Sequence, residues 1–385
     1  MISRWVGVGS ASLPDAKAAG AAATEDALRS PDPRLLLVFS SESYDPKALL
    51  EGIEAVAPEV ELIGCTTAGE IAGSGPGDAG VVVLALGGDG FSVATSASAV
   101  HDGLRSAGAA VASCASKVSD SPHRALLLLT DGLAGDQQEI VRGAYSVVGA
   151  EIPLVGGCAG DGLKMEATLQ FHGADVLSHS VVAAVLGSEA PLGIGVHHGW
   201  RRVGEPMLVS SSDANRVFLL DDEPALDVYL RRLYAPDEAR NDAGAFTRFA
   251  LTHPLGLSRR SGEEVRFVAG ADFADRSLTC VAHVPQGGLT WFMEGDAASV
   301  MAATDAACLD ALGQLQGAPP LGFVAFDCIA RRGVLGAPGI TEEVTRIAEH
   351  ARGAPVAGFY TYGEIARTQG TGGFHNQTLV VLALA

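Results

Sequence analysis

The chain has 385 residues, 48% of them hydrophobic, and a formal net charge of -19. That length allows a large core spread over two domains or three closely fused modules. No apolar run approaches the roughly 18 residues of a membrane helix, and the start, MISRWVGVGSASLPD, lacks the charged, apolar and cleavage regions of a secretory signal. The expectation is a cytoplasmic protein. An acidic surface whose only lysines are Lys17, Lys47, Lys117 and Lys164 repels phosphate backbones and anionic lipid, which argues against nucleic-acid and membrane partners. The six cysteines, Cys65, Cys114, Cys158, Cys280, Cys308 and Cys328, contain no C-x-x-C pair and read as reduced thiols rather than disulfides or a zinc site.

In chain order, residues 5–9 read as a strand, and Ser12 with Asp15 has the spacing of a capping box ahead of an alanine-rich helix. Residues 35–40 form a buried strand, and Asp45-Pro46 starts the helix carrying residues 48–56. Strands over 79–86 and 91–97 flank Gly87-Gly88-Asp89-Gly90, a hairpin signal. A helix follows over 104–118. A second strand, 125–130, leads through a polar loop to a helix ending near Val148, and strands follow at 152–155, 169–171, 181–186 and 193–196. Residues 221–234 begin as a helix with Asp221 or Asp222 as the cap and Pro224 early in the first turn. Strands are expected at 265–269, 278–284, 289–294 and 322–326, and helices at 296–312 and 341–350.

Three stretches share one plan: LIGCTTAGEIAG (62–73), LVGGCAGDGLKM (154–165) and VAGFYTYGEIAR (356–367). Each runs from an apolar strand end through glycine and small polar residues to Gly-Glu or Gly-Asp. Each is preceded by a strand, a loop and a helix, and followed by another strand. That is the signature of a repeated supersecondary unit, and the fold class it predicts is α/β, with mixed sheets built from pseudo-repeated strand-helix-strand units and helices packed outside. None of these stretches is a phosphate loop, since neither G-x-x-x-x-G-K-[ST] nor a strand-helix G-x-G-x-x-G occurs.

The third copy carries the most chemistry. GFYTYGEIARTQGTGGFHNQT (358–378), with the preceding strand end, collects Asp327, Cys328, Arg331, Arg332, Tyr360, Tyr362, Glu364, Arg367, His375 and Asn376. Strand ends and the loops after them are where α/β folds place sites. An arginine fork binds a carboxylate and a glutamate accepts from an ammonium, so the set suits a ligand bearing both. The same residues also read as an internal Arg–Glu pair with the tyrosines as packing. His253, His375, His197 and His198 sit beside glycine or proline, where an imidazole can ligate haem iron, act as a base or hydrogen-bond a turn. Of these, His253 and His375 are the haem-ligand candidates; C-x-x-C-H is absent. Cys328 or Cys158 as a nucleophile gives a hydrolase or transferase alternative, without a family-type signature around either.

LLLVFSSESYDPKALLEGI and LIGCTTAGEI resemble the N-terminal part of the FIST domain, and VGGCAGDG belongs to the same half. GVHHGWRRVGEP, DDEPALDVYLRRLY, HPLGL, WFMEGD, VAFDCIARRGVLG and the 358–384 stretch resemble its C-terminal part. The division this suggests is residues 1–32 as an N-terminal strand and helix, 33–205 as the N-like domain and 206–385 as the C-like domain. The resemblance implies a bacterial sensory protein that binds a small ligand, an amino acid or similar, rather than an enzyme. One branch of the family is similar to haem-binding nitric-oxide sensors that pair with histidine kinases or cyclic-di-GMP enzymes. Only the sensory part is recognisable in this chain, so output passes to a separate partner protein, and a homodimer is compatible with the sequence. On the residues themselves, Arg331, Tyr360, Tyr362, Glu364, Arg367, His375, Asn376 and Cys328 are the candidate ligand-binding set.

Overall fold

A computed structural model describes residues 3–118, 120–259, 262–368 and 372–385. The first repeat runs β1 (Trp5–Ala11), α1 (Ala16–Ala27), β2 (Pro33–Ser40), α2 (Pro46–Val56), β3 (Glu61–Thr66), β4 (Glu70–Ala72), β5 (Gly75–Gly77) and β6 (Val81–Gly87). The second is its counterpart: β7 (Phe91–Ala99), α3 (Leu104–Ala112), β8 (His123–Thr130), α4 (Gln137–Val148), β9 (Leu154–Cys158), β10 (Leu169–His172), β11 (Asp175–Ser178) and β12 (Ser180–Ser188).

The third opens with β13 (Leu192–His197) and is interrupted by an inserted domain. That domain comprises β14 (Arg201–Asp213), β15 (Arg216–Leu220), β16 (Glu223–Pro224), α5 (Ala225–Arg232), α6 (Ala243–Ala250), β17 (Leu255–Arg259), β18 (Gly262–Arg266), β19 (Val268–Asp272), β20 (Ser277–Cys280) and β21 (Leu289–Glu294). The repeat then resumes with α7 (Ala297–Gly313), β22 (Gly322–Cys328), α8 (Ile329–His350), β23 (Val356–Thr361), β24 (Glu364–Arg367), β25 (Phe374–His375) and β26 (Leu379–Leu384).

Among the described residues the repeats build three six-stranded sheets of one design, ordered β1-β6-β2-β3-β10-β11, β7-β12-β8-β9-β24-β25 and β13-β26-β22-β23-β4-β5. In each, two parallel strands joined by a helix (β2/β3, β8/β9, β22/β23) are flanked by antiparallel ones. The last two strands of each sheet are lent by another repeat, in a cycle: the first repeat completes the third sheet, the third completes the second and the second completes the first.

The sheets' inner faces meet in one apolar core, in which Phe39, Phe326 and Phe359 touch with ring centroids 4.8 to 6.4 Å apart. Aromatic pairs of this kind add roughly 0.5–1.5 kcal/mol each beyond the area they bury. The helix pairs α1/α2, α3/α4 and α7/α8 cover the outer faces. No helix among the described residues is long and apolar enough to cross a membrane.

Four local expectations are corrected. Gly87 to Gly90 does not close a hairpin: β6 already has β1 and β2 on its two edges, so the chain crosses to a new sheet as β7. Asp15 alone, accepting from the Ala18 N–H at 2.7 Å, caps α1, and α5 begins only after Pro224, with Asp221 instead accepting from the Leu208 N–H at 2.8 Å. The last helix starts directly after Cys328 rather than at Thr341, kinking at Gly336, whose φ of 65° is left-handed. The glycines and Pro338 around that kink masked its first turns, which carry Arg331 and Arg332.

Gly64, Gly156 and Gly358 occupy one position in the three repeats, opposite Val38, Leu128 and Ala325. A Cβ on Gly156 would lie 1.9 Å from the Leu128 carbonyl oxygen, at a φ of +149°. Gly156→Ala is therefore expected to lose about 3 kcal/mol or more of stability, combining overpacking with backbone strain, read as a lower urea midpoint at unchanged slope.

Candidate functional site

The repeated motif builds a repeated turn. After β3 the Thr67 hydroxyl donates to the Glu70 carboxyl at 2.6 Å and accepts the Gly69 N–H at 3.2 Å, while the other Glu70 oxygen accepts the Gly80 N–H at 3.1 Å. After β23 the pattern recurs: Thr361 donates to Glu364 at 2.5 Å and accepts the Gly363 N–H at 3.1 Å, and the Thr378 N–H donates to Glu364 at 3.2 Å. In the second repeat Asp161 instead accepts the N–H groups of Met165, Glu166 and Ala167 and the hydroxyl of Tyr362.

Burial pushes Glu70 up to about 7 and Glu364 up to about 8, against the lowering effect of those hydrogen bonds. A carboxyl raised in the folded state keeps a proton that the unfolded chain has already lost, so stability falls as pH rises toward the folded value. His198 and His375, both lowered by burial, titrate below this window. Between about pH 6.5 and pH 8, Glu364 should cost about 2 kcal/mol of stability, and Glu364→Gln should flatten the fall in urea midpoint across that range.

The three turns are joined to one another by backbone hydrogen bonds that follow the same cycle. The Ala68 N–H donates to the Tyr360 carbonyl at 3.0 Å, the Tyr362 N–H to Cys158 at 3.3 Å and the Gly160 N–H to Thr66 at 3.0 Å. Beside this ring opens a cavity of about 400 Å³, walled by Glu42, Ala68, Gly69 and Asp78 of the first repeat, Gly162 and Leu163 of the second, and Ile329, Arg332 and Gly333 of the third. The Arg332 guanidinium pairs with Asp78, donates to the Ala68 carbonyl at 3.2 Å and lies 5.0 Å over the Tyr360 ring. Glu42 pairs with Lys164 at 3.2 Å. The Arg332 guanidinium and two carboxylates thus line a small space with glycine in its walls, and the Lys164 ammonium pairs with one of those carboxylates.

The residues expected from sequence divide into three groups. Tyr360 and Tyr362 are brought to this axial cavity: the first underlies Arg332, and the second holds the Gly162 loop by accepting the N–H groups of Asp161 at 3.3 Å and Leu163 at 2.8 Å. Arg331, adjacent to Arg332, turns inward. Its guanidinium binds Asp327 at 2.6 Å and Thr304 at 2.9 Å, and also Glu343. Burial, then the facing Glu343, raises the Asp327 carboxyl well above the carboxylate range. Cys328 and Cys158 are buried, and burial pushes both thiols up, away from the thiolate that a nucleophilic role needs. Arg367 donates to the Gly149 carbonyl at 2.8 Å and lies 3.8 Å over Tyr145, tying the third repeat to the second. Removing Arg331 would strand two buried carboxyls, so Arg331→Met is expected to cost roughly 3–5 kcal/mol, measured by chemical denaturation.

His375 belongs elsewhere. It lines a second cavity, of about 620 Å³, between the third repeat and the inserted domain, together with His197, His198, Trp200, Glu263 and Glu264. Asn376, beside it in the chain, is buried with both amide atoms unpartnered among the described residues. His253 is packed on Phe249 at 4.1 Å with Nδ1 against the Phe249 carbonyl at 2.8 Å. A haem needs an apolar slot beside its axial ligand; the walls beside His375 are acidic and polar, and the His253 ring face is taken by Phe249. Nothing in these surroundings favours haem.

Glu42, Asp78 and Lys164 were not expected from sequence. The signal lay in the repeat: Glu42 follows β2 as Arg331 and Arg332 follow β22, so reading all three copies onto one another would have drawn in the polar residues of the weaker two.

The comparisons agree with the resemblance. A FIST N domain profile matches residues 34–223 and a FIST C domain profile matches residues 225–367, their boundary falling inside the inserted domain. Two uncharacterized proteins of Mycobacterium tuberculosis, from strains CDC 1551 and H37Rv, are each 26% identical over 389 residues, covering 97% of both chains. A crystal structure of a cyanuric acid hydrolase from A. caulinodans aligns at 11% identity and a TM-score of 0.27, over 48% of this chain and 71% of that one.

Proposed function

The chain belongs to the FIST family, whose domains are associated with sensory and signal-transduction roles, and we propose that it is the ligand-binding sensor of a two-protein system, with the axial cavity taking an α-amino acid or a similar zwitterion. The observation that carries this reading is the arrangement of ion pairs between repeats. Arg332–Asp78 links the third repeat to the first, and Lys164–Glu42 links the second to the first. A zwitterion replaces both links at once: its carboxylate takes the guanidinium fork, and its ammonium takes the released carboxylates.

Because each pair spans two repeats, occupancy trades direct contacts for contacts through the ligand and shifts the balance between two arrangements of the repeats. A separate partner protein would read that shift. A volume of about 400 Å³ lies at the small end of the range usual for ligand pockets.

A thermal-shift screen of the common amino acids tests this. At least one is expected to raise the melting temperature by several degrees, and Arg332→Ala should abolish that rise while the variant still unfolds cooperatively. A flat screen on the wild-type chain, or a response that survives Arg332→Ala, would sink the assignment.

A further inference from the structure

The larger cavity between the third repeat and the inserted domain is a separate chamber, and several of its polar groups are hydrogen-bond acceptors. The His375 Nε2 faces the Ala366 carbonyl at 3.0 Å and can only donate there, which leaves Nδ1 as a bare acceptor. The His197 Nε2 donates to the Asp310 carboxylate at 2.6 Å. His198 accepts the Trp200 N–H on Nδ1 at 2.9 Å and keeps its proton on Nε2. Burial lowers His375 and brings His198 down to about 4, which favours the neutral ring at both positions.

Two carboxylates complete the walls, and among the described residues no lysine or arginine lines them. Arg202 pairs with Glu263 and Arg266 pairs with Glu264 at 2.9 Å, and neither guanidinium is part of the lining. Trp200 adds an aromatic surface of the kind that attracts organic cations. A wall rich in acceptors calls for a ligand rich in donors, because a donor lacking a partner in a closed site is costly while an acceptor-rich wall satisfies several at once.

We propose that this cavity is a second binding site, for a small organic ammonium such as a primary amine or diamine. Ammonium hydrogens donate to the His375 Nδ1 on one wall, from the third repeat, and to the carboxylates on the other, from the inserted domain. Such a ligand would tie the inserted domain to the repeats independently of what the axial cavity holds.

Isothermal titration of the full chain at low salt with 1,4-diaminobutane, with 1,4-butanediol as the uncharged counterpart, tests the assignment. Saturable binding of the diamine and none of the diol is expected, with His375→Ala and Glu263→Gln each weakening the diamine about tenfold or more. Glu263 is partly exposed, so its conservative replacement still decides the matter if His375→Ala fails to fold. No saturable binding to the wild-type chain, equal binding of the diol, or an affinity that neither replacement changes would each overturn the proposal. The titration involves no amino acid, so its result stands apart from the outcome at the axial cavity.

Discussion

The cyclic exchange of short strands is the constraint on which the rest of this structure depends. In each repeat the second parallel strand, β3, β9 or β23, would end its sheet with unpaired backbone groups. Exposed strand edges of that kind are free to pair with other chains, and buried ones are too costly to leave unsatisfied. Here each edge is filled by a strand pair from another repeat, so no repeat completes its own sheet. The turns that carry the repeated motif precede the exchanged strands β4 and β24 directly, so closing the cycle brings them to one place. The axial cavity is a consequence of how the sheets are completed.

The insertion in the third repeat breaks the symmetry without disturbing it. It leaves after β13 and returns before α7, at the point where the first two repeats pass directly from strand to helix. Its own core, around Tyr229, Phe246 and Phe292, is separate from the inner core of the three sheets. Val265, Ala282 and Met293 of the insertion join the apolar cluster on the outer faces of the repeats, so the chamber lies beside a packed contact between the two bodies. The stretch that lines it from the repeat side, around His375, is the same stretch that closes the exchange through β24 and β25.

Much of this was legible in the sequence because the strand-glycine-acid pattern repeats where backbones crowd. Gly64, Gly156 and Gly358 stand opposite a neighbouring carbonyl that leaves no room for a side chain. The exchange was not legible, since which sheet a three-residue strand joins depends on edges elsewhere in the chain. The candidate site was half visible for the same reason. The tyrosines and arginines of the third copy were conspicuous, but sequence could not show that Arg331 and Arg332 face opposite ways, nor that Glu42 and Asp78 stand across from Arg332. His375 and Arg367 lie in the same stretch as the tyrosines, yet the backbone takes them to different neighbours.

The contrast between Asp327 and its equivalents bears on why the third repeat carries a buried ionic trio. Ser40, Thr130 and Asp327 share one register position, opposite Thr66, Cys158 and Tyr360. The second repeat satisfies this position with neutral groups, Thr130 donating to Gln137 at 2.8 Å. A buried ionic trio is seldom more stable than a neutral or apolar one of similar volume, so stability is a poor reason for it. Position is a better one. The kink at Gly336 leaves only a short helical segment after β22, too short to hold its own orientation. Anchoring Arg331 to Asp327, Thr304 and Glu343 fixes that segment against α7 and the second half of α8. The next residue along a helix points about 100° away, and this turns Arg332 out of the interior and over Tyr360, facing the junction of the three repeats. The trio's cost is thereby tied to the orientation of the one guanidinium in the axial cavity.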